Sequence, residues 1–198
     1  ITSDTRAVQP GDLFVALKGD RFDAHDFVAE AAAKGAIGAL VSRPVDAPIA
    51  QLRVADTLLG LQALAASWRE DFDLPVIGVT GSNGKTTTKQ LLAAVFAARG
   101  PVLATEGNLN NHIGVPLTLA RLKAAHRTAV IEMGASNPGE IALLAKLAAP
   151  TVGIVTQAGD AHLEGFGSRE GVAKAKGELF AALRDGVTLP RRGPSEEP

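Results

Sequence analysis

The residues best suited to chemistry lie between Val76 and Thr88. An apolar run, Val76–Val79, feeds Thr80 and a turn made by Gly81, Ser82, Asn83 and Gly84, and then Lys85, Thr86 and Thr87 open a helical stretch. Glycines let a backbone curl until successive N–H groups point at one place, and a helix N-terminus adds its partial positive charge. Such a loop cradles phosphate, with Lys85 reaching the β/γ-phosphates and the Thr86 hydroxyl offered to Mg²⁺. The expected ligand is the tail of a nucleoside triphosphate, ATP. The spacing differs from the usual phosphate-loop pattern, which would place glycine where Val79 stands. A surface turn that happens to contain Gly-Lys-Thr is the plain alternative, and the flanking strand and helix weigh against it. A carboxylate, Glu132, lies in the strand-like run Ala129–Met133. In an open α/β sheet the carboxyl ends of strands line the ligand crevice. Position alone leaves Glu132 equally open to holding Mg²⁺ or to being a solvated strand-end glutamate.

Alternating apolar elements must position these groups. Strand-like segments are Phe14–Leu17, Gly38–Val41, Gln51–Val54, Val76–Val79, Val102–Ala104, Ala129–Met133 and Val152–Thr156. Helical segments are Phe27–Lys34, Thr86–Arg99, Glu140–Leu147 and Arg169–Leu183. A further helix opens at Thr57, read as its N-cap, with Leu58, Leu61, Leu64, Ala65 and Trp68 at helical spacing. In the helix after the phosphate loop, Leu91, Leu92, Val95 and Phe96 are expected to face inward. Gly100–Pro101 ends that helix. Short strands separated by helices predict an α/β fold with a parallel sheet covered on both faces. Asp71–Pro75 interrupts the pattern and predicts a domain boundary. Val187–Pro198, rich in proline and charge, predicts a disordered tail.

The chain has 198 residues, 46% of them apolar, enough for one or two packed domains. A formal net charge of −1 gives no electrostatic pull toward nucleic acid or an anionic membrane. The absence of cysteine excludes disulfides, thiolate metal sites and a cysteine nucleophile. The apolar stretch Ala31–Val41 is broken by Lys34 and Gly35 and is too short to span a bilayer. A cytoplasmic, incomplete chain is the expectation.

Thr80–Thr87 resembles the compact phosphate loop of the Mur ligases, which build the peptide stem of peptidoglycan. Gly107–Thr118, Val130–Ala135, Gly159–Ser168 and Ala175–Phe180 are similar to further blocks of that family, in the same order. At the front, Ser3–Arg6, Pro10–Gly19 and Phe22–His25 resemble the UDP-substrate domain. Gln157 stands where the family pattern has asparagine, and family members continue well past residue 186.

The resemblance implies a small N-terminal α/β UDP-substrate domain (residues 1–72) and a P-loop-type parallel-sheet ATP-binding domain, truncated (73–186). The reaction it implies joins a carboxylate to an amine: ATP phosphorylates the carboxylate, the amine attacks the acyl phosphate, and phosphate leaves. The branch it favours adds D-alanyl-D-alanine to UDP-N-acetylmuramoyl-tripeptide, with ATP and Mg²⁺ as cofactors. An amino-acid-adding branch and a non-catalytic nucleotide-binding fragment are the alternatives, and little turnover is expected of this chain alone. By resemblance Lys85, Glu132, His162 and Lys176 are catalytic, and Thr86, Glu132 and His162 hold metal. The nucleotide falls to Gly81, Ser82, Asn83, Gly84, Lys85, Thr86, Thr87, Asn108 and Asn111. The uridine nucleotide falls to Asp4, Thr5 and Arg6. Lys176 alone reads as an ordinary exposed helical lysine; its counterpart in related Mur ligases is carbamylated. Asp23 can cap the helix that follows it, and His25 carries a weaker substrate reading. A monomer is expected, without nucleic-acid binding or membrane insertion.

Overall fold

The computed structural model describes residues 1–19, 22–159 and 163–183, and for Leu163 the backbone only. His162 and the segment from Val187 therefore lie outside the described residues. Among the described residues, the first part of the chain forms β1 (Leu13–Val15), the short antiparallel pair β2 (Lys18–Gly19) and β3 (Phe22–Asp23), and helix α1 (Val28–Ala33). It continues with β4 (Gly38–Val41), β5 (Ala50–Arg53) and the long helix α2 (Thr57–Glu70). β1, β4 and β5 make a parallel sheet in that order. Phe14, Val28, Ala31, Ala39 and Val41 are buried together between this sheet and α1.

The second part runs β6 (Val76–Thr80), α3 (Lys85–Ala97), β7 (Val102–Ala104), α4 (Gly114–Leu119), β8 (Thr128–Glu132), α5 (Glu140–Ala148) and β9 (Val152–Val155). Helices α6 (Leu163–Phe166) and α7 (Arg169–Ala181) follow. Its sheet is parallel with order β7-β8-β6-β9. Side chains alternate across it, as strand geometry requires. Ile77, Val79 and Val130 meet Leu92 and Phe96 of α3 on one face. Val76, Ala129 and Ile131 join Leu144 of α5 and Leu179 of α7 on the other. Both faces are covered, which is why the strands read as continuous apolar runs.

Three sequence expectations are corrected. The N-cap of α2 is Asp56, whose Oδ1 accepts from Leu58 N at 2.7 Å and Leu59 N at 3.0 Å. Thr57 is buried, and its hydroxyl donates instead to Ala16 O at 2.9 Å, tying the helix start to the first sheet. Leu91 and Val95 do not face inward; they are 64% and 67% exposed. The face of α3 that meets the sheet carries Lys89, Leu92 and Phe96, at spacings of three and four, and Leu91 and Val95 fall on its flank. Lys176 is 2% exposed, because α7 packs against α5, β6 and β9.

Helix α2 belongs to both halves of the chain. Leu61 packs with Val15 and Leu40 of the first sheet, while Ala65 enters the core around the second. Arg69 donates from Nε to Ala148 O (3.0 Å), from one terminal nitrogen to Phe72 O (2.6 Å) and from the other to Ala149 O (3.4 Å). Trp68 Nε1 donates to Leu122 O at 3.2 Å.

The Asp56→Ala variant is expected to lose about 1 kcal/mol of stability in urea unfolding, the usual cost of a lost N-cap. A loss within error of zero would show that Thr57, not Asp56, starts the helix.

Candidate functional site

The phosphate loop leaves the end of β6 in a conformation that glycine permits. Gly81 has φ +146° and Gly84 has φ +78°. A Cβ on Gly81 would also collide with Thr156 Oγ1, so glycine is required there twice over. The loop is held from the far side by the segment after β9. Ser82 N donates to Gln157 O at 2.8 Å, and the Ser82 hydroxyl bonds both Gly159 O and Gly159 N, at 3.1 and 3.0 Å. Asn83 Nδ2 reaches Gln157 Oε1 at 3.5 Å, so the glutamine at this position takes part in the loop. Lys85 Nζ lies over the loop, donating to Gly81 O at 2.8 Å. Thr86 and Thr87 are exposed on the first turn of α3.

Strand register brings Glu132 to this loop, since β8 pairs with β6 so that Glu132 stands beside Val79. Glu132 is 2% exposed, which removes the reading as a solvated strand-end residue. Its Oε2 accepts from the Thr86 hydroxyl at 3.1 Å and lies 3.4 Å from Lys89 Nζ. Its Oε1 accepts from Asn110 Nδ2 at 2.9 Å, and its backbone N–H donates to Thr105 Oγ1 at 2.9 Å. Lys89 is itself 4% exposed. A buried carboxylate needs such partners, because an isolated buried charge is very costly.

The asparagine-rich segment divides its labour. Asn110 faces Glu132. Asn111 Oδ1 accepts from Ile113 N and Gly114 N, at 3.1 and 2.9 Å, organising the entry to α4. Gly114 is needed there, since a Cβ would run into the backbone of Leu109. Asn108 is exposed, and its carbonyl accepts from Asn110 N at 2.7 Å.

Lys176 approaches from α7. Its Nζ donates to Ala135 O at 3.4 Å and sits 5.3 Å from the centre of the Phe166 ring. Burial, and next the positive charge of Lys85, hold its pKa below the usual lysine value. That shift enlarges the neutral-amine fraction, the form able to take up carbon dioxide. The neighbouring loop is clamped by Glu178, which accepts from Gly139 N at 2.8 Å and Ala142 N at 3.0 Å.

Sequence reading missed Lys89 and Thr105 as members of this constellation, and it singled out Asn110 as part of a polar loop without its bond to Glu132. Lys89 had a legible signal: it follows Thr86 by three residues and precedes Leu92 by three, a charge set within an inward-facing stripe.

In the first part of the chain, Asp4 and Arg6 form a forked pair, Nε to Oδ1 at 2.9 Å and NH2 to Oδ2 at 2.7 Å. That side-chain pairing, with the Arg6 N–H bond, lowers the Asp4 pKa to about 2. Ser3, Asp4, Thr5 and Arg6 line a cavity of about 510 Å³ with Phe14, Phe22, Phe27 and Glu30. Phe22 and Phe27 are stacked there, ring centres 5.2 Å apart.

Nearby, Asp23, His25 and Ser42 make a hydrogen-bonded chain, with Asp23 Oδ1 2.6 Å from His25 Nδ1. Ser42 donates its backbone N–H to His25 Nε2 at 2.8 Å, and its hydroxyl lies 3.1 Å from the same nitrogen. That backbone bond occupies the lone pair a general base would need, so the chain braces β4 against the turn after β3. Asp23 caps that turn as expected; the backbone N–H and the ring of His25 lower its pKa to about 2, and Arg43 adds to this.

Two outcomes follow from this geometry. Gly81→Ala is expected to cost about 2 kcal/mol or more in denaturant unfolding, from backbone strain and the collision with Thr156; a neutral effect would show that the loop can relax. Asp23 has a folded pKa below its unfolded value, so its contribution is complete above the unfolded value near 4 and is lost as pH falls toward 2. Asp23→Asn should therefore flatten the acid-unfolding curve between about pH 4 and 2; an unchanged curve would refute the linkage.

The fold and the sequence match known proteins. The family model described as the Mur ligase middle domain matches residues 79–189, and that described as the Mur ligase family, catalytic domain, matches residues 1–69. The chain is 53% identical over 190 residues to the UDP-N-acetylmuramoyl-tripeptide–D-alanyl-D-alanine ligase of Escherichia coli (strain K12), covering 96% of this chain and 42% of that one. The ligase of the same name from Bacillus subtilis (strain 168) is 45% identical over 193 residues, again covering 96% of this chain and 42% of the relative. A crystal structure of MurF from Acinetobacter baumannii superposes with a TM-score of 0.87 at 48% identity, over 92% of this chain and 41% of that one. The MurF ligase of Thermotoga maritima in complex with ADP gives 0.83 at 38% identity, over 92% of this chain and 43% of the other. The chain thus spans about two fifths of the length of the relatives it matches. With a phosphate loop, a buried glutamate one strand away and family models matching both halves, the chain belongs to the Mur ligase family.

Proposed function

We propose that this chain carries the UDP-substrate and ATP-binding portions of a ligase that adds D-alanyl-D-alanine to UDP-N-acetylmuramoyl-tripeptide. The observation that carries the reading is the pairing of Thr86 with the buried Glu132 at the mouth of the phosphate loop. It is the arrangement needed to bring a nucleotide's terminal phosphate, and the cation bound to it, against fixed charge. The relatives' shared name supplies the substrate class. Residues 1–72 would hold the UDP moiety, with the stacked Phe22 and Phe27 beside Asp4, Thr5 and Arg6 suited to a planar base. Residues 73–186 would hold ATP. Such a reaction on nucleotide-linked substrates would take place in the cytoplasm. Among the described residues no helix is long and apolar enough to cross a membrane.

Magnesium fits the donors present. A carboxylate and a hydroxyl are hard oxygen ligands, and Mg²⁺ is commonly held by one or two carboxylates with substrate phosphates and water. When bound, the ion would offset repulsion between the triphosphate and the attacking carboxylate. The chain's own groups do the rest. The loop N–H groups and Lys85 orient the phosphates, and Thr86, Glu132 and Asn110 form one wall of the site. Lys176 presents its buried nitrogen from the opposite helix. His162 belongs to the proposal through the family pattern and lies outside the described residues. Asn108 and Asn111 remain proposed nucleotide neighbours, Asn111 through the loop it organises.

Calorimetry with Mg-ATP tests this reading. The chain is expected to bind, and Lys85→Ala to weaken binding at least tenfold, about 1.4 kcal/mol. A folded parent chain that takes up no Mg-ATP, or a Lys85→Ala variant that binds equally well, would overturn it.

A further inference from the structure

We propose that Lys89 is a resident counter-cation for Glu132 that makes divalent-metal binding here conditional on the nucleotide. The inference rests on the ATP reading above and goes beyond it by assigning a residue that controls the order in which charge enters the site.

The argument begins with which oxygen is occupied. Thr86 and Lys89 both address Oε2 of Glu132, at 3.1 and 3.4 Å, while Asn110 addresses Oε1. A cation shared between Thr86 and Glu132 would take that same Oε2. It would arrive beside an ammonium group already there. Lys89 has little freedom to withdraw, since its side chain is 5% exposed and it lies within the inward face of α3 with Leu92 and Phe96. Glu132 is equally fixed, held at its backbone by Thr105 and by the register of β8 on β6.

The charge around the loop gives the sign. One buried carboxylate, Glu132, faces Lys89, while Lys85 lies over the loop and its charge is felt at Lys176. Glu140 and Glu178 act on Lys176 from the outer side, where their carboxylates are engaged by the backbone of the Ser136–Ala142 stretch. A dication entering without nucleotide therefore meets the Lys89 ammonium at the carboxylate oxygen it needs. A triphosphate brings enough negative charge to reverse that balance. Unit charges about 4 Å apart still interact strongly at the effective dielectric of a protein surface, so one ammonium suffices to shift cation affinity at least tenfold. Lys85 and Lys89 are one turn apart on α3 and divide the work. Lys85 turns toward the loop and the phosphates, and Lys89 turns toward the sheet and the carboxylate.

Lys89 is thus a positioning residue, acting through Glu132. Its consequence is that the cation enters with the nucleotide instead of waiting at an empty carboxylate.

The test uses Mn²⁺ as the probe, followed by water-proton relaxation, first without nucleotide. Lys89→Met should bind Mn²⁺ at least tenfold more tightly than the parent chain. Lys89→Arg, which keeps the charge, should match the parent, and Glu132→Gln should abolish the gain in the Lys89→Met background. With a non-hydrolysable ATP analogue present, the difference between Lys89→Met and the parent should shrink. Nucleotide-free Mn²⁺ affinity of Lys89→Met equal to or weaker than the parent would overturn the proposal. If Lys89→Met does not fold, Lys89→Gln answers the same question, with thermal unfolding as the check. Binding of the analogue by the parent is read separately. Its loss would overturn the ATP reading, whereas retained binding with no Lys89 effect would overturn only the role given to Lys89.

Discussion

The structure depends on a carboxylate kept out of water. Glu132 ends β8 at 2% exposure, and an ionised group there is tolerable only if every side of it is met by a donor or a positive charge. Three parts of the fold answer that demand. Helix α3 sends Thr86 and Lys89, the segment after β7 sends Thr105 and Asn110, and strand register sets the backbone beside β6. The same contacts that satisfy the charge hold the phosphate loop at a set distance from it. Stability and chemistry are therefore coupled at this point, since loosening any partner both strands a buried charge and displaces the loop.

The loop is also gripped from its other side. Thr156, Gln157 and Gly159, following β9, bond to Ser82 and Asn83, and Thr156 Oγ1 fills the space that a side chain at Gly81 would need. The loop is thus preorganised before any ligand contributes. Catalysis by fixed dipoles requires this, because groups that must reorganise during the reaction lose much of their effect. On the opposite face, Lys176 is carried inward by α7, and its pKa is depressed first by burial and then by Lys85. Two lysines of different environment thus approach the same loop, one partly exposed over the turn and one buried beneath the Gly134–Gly139 segment.

Helix α2 connects this site to the first sheet. Its early turns pack on Val15 and Leu40, and its last turns reach the second core through Ala65 and Arg69. The guanidinium of Arg69 bonds carbonyls at the end of α5, including Ala149, which has the left-handed φ of +44°. Chain-terminal carbonyls of a helix need donors, and a buried arginine fork supplies several at once. The helix is therefore structural glue between the proposed UDP and ATP portions rather than a free linker.

The α/β class, the alternation of the main strands and helices, the phosphate loop and the family resemblance were legible in the sequence, whereas the short pair β2–β3 and helix α4 were not. Each rests on local facts: apolar runs of strand length, helical spacing, and glycines with lysine and threonine between a strand and a helix. The sequence also contained the family blocks around Glu132 and Lys176. Their environments were another matter. Whether Glu132 was solvated or buried, whether Lys176 was exposed, and that Lys89 turns inward while Leu91 and Val95 turn out all depend on which segments lie across the sheet. The capping of α2 by Asp56 rather than Thr57 was decided likewise, because Ala16 of a distant strand claims the threonine hydroxyl. The sequence by itself determined what each residue could do over a few neighbours. Tertiary structure alone decided the burial and pairing of charges, because those energies are set by partners dozens of positions away in the chain.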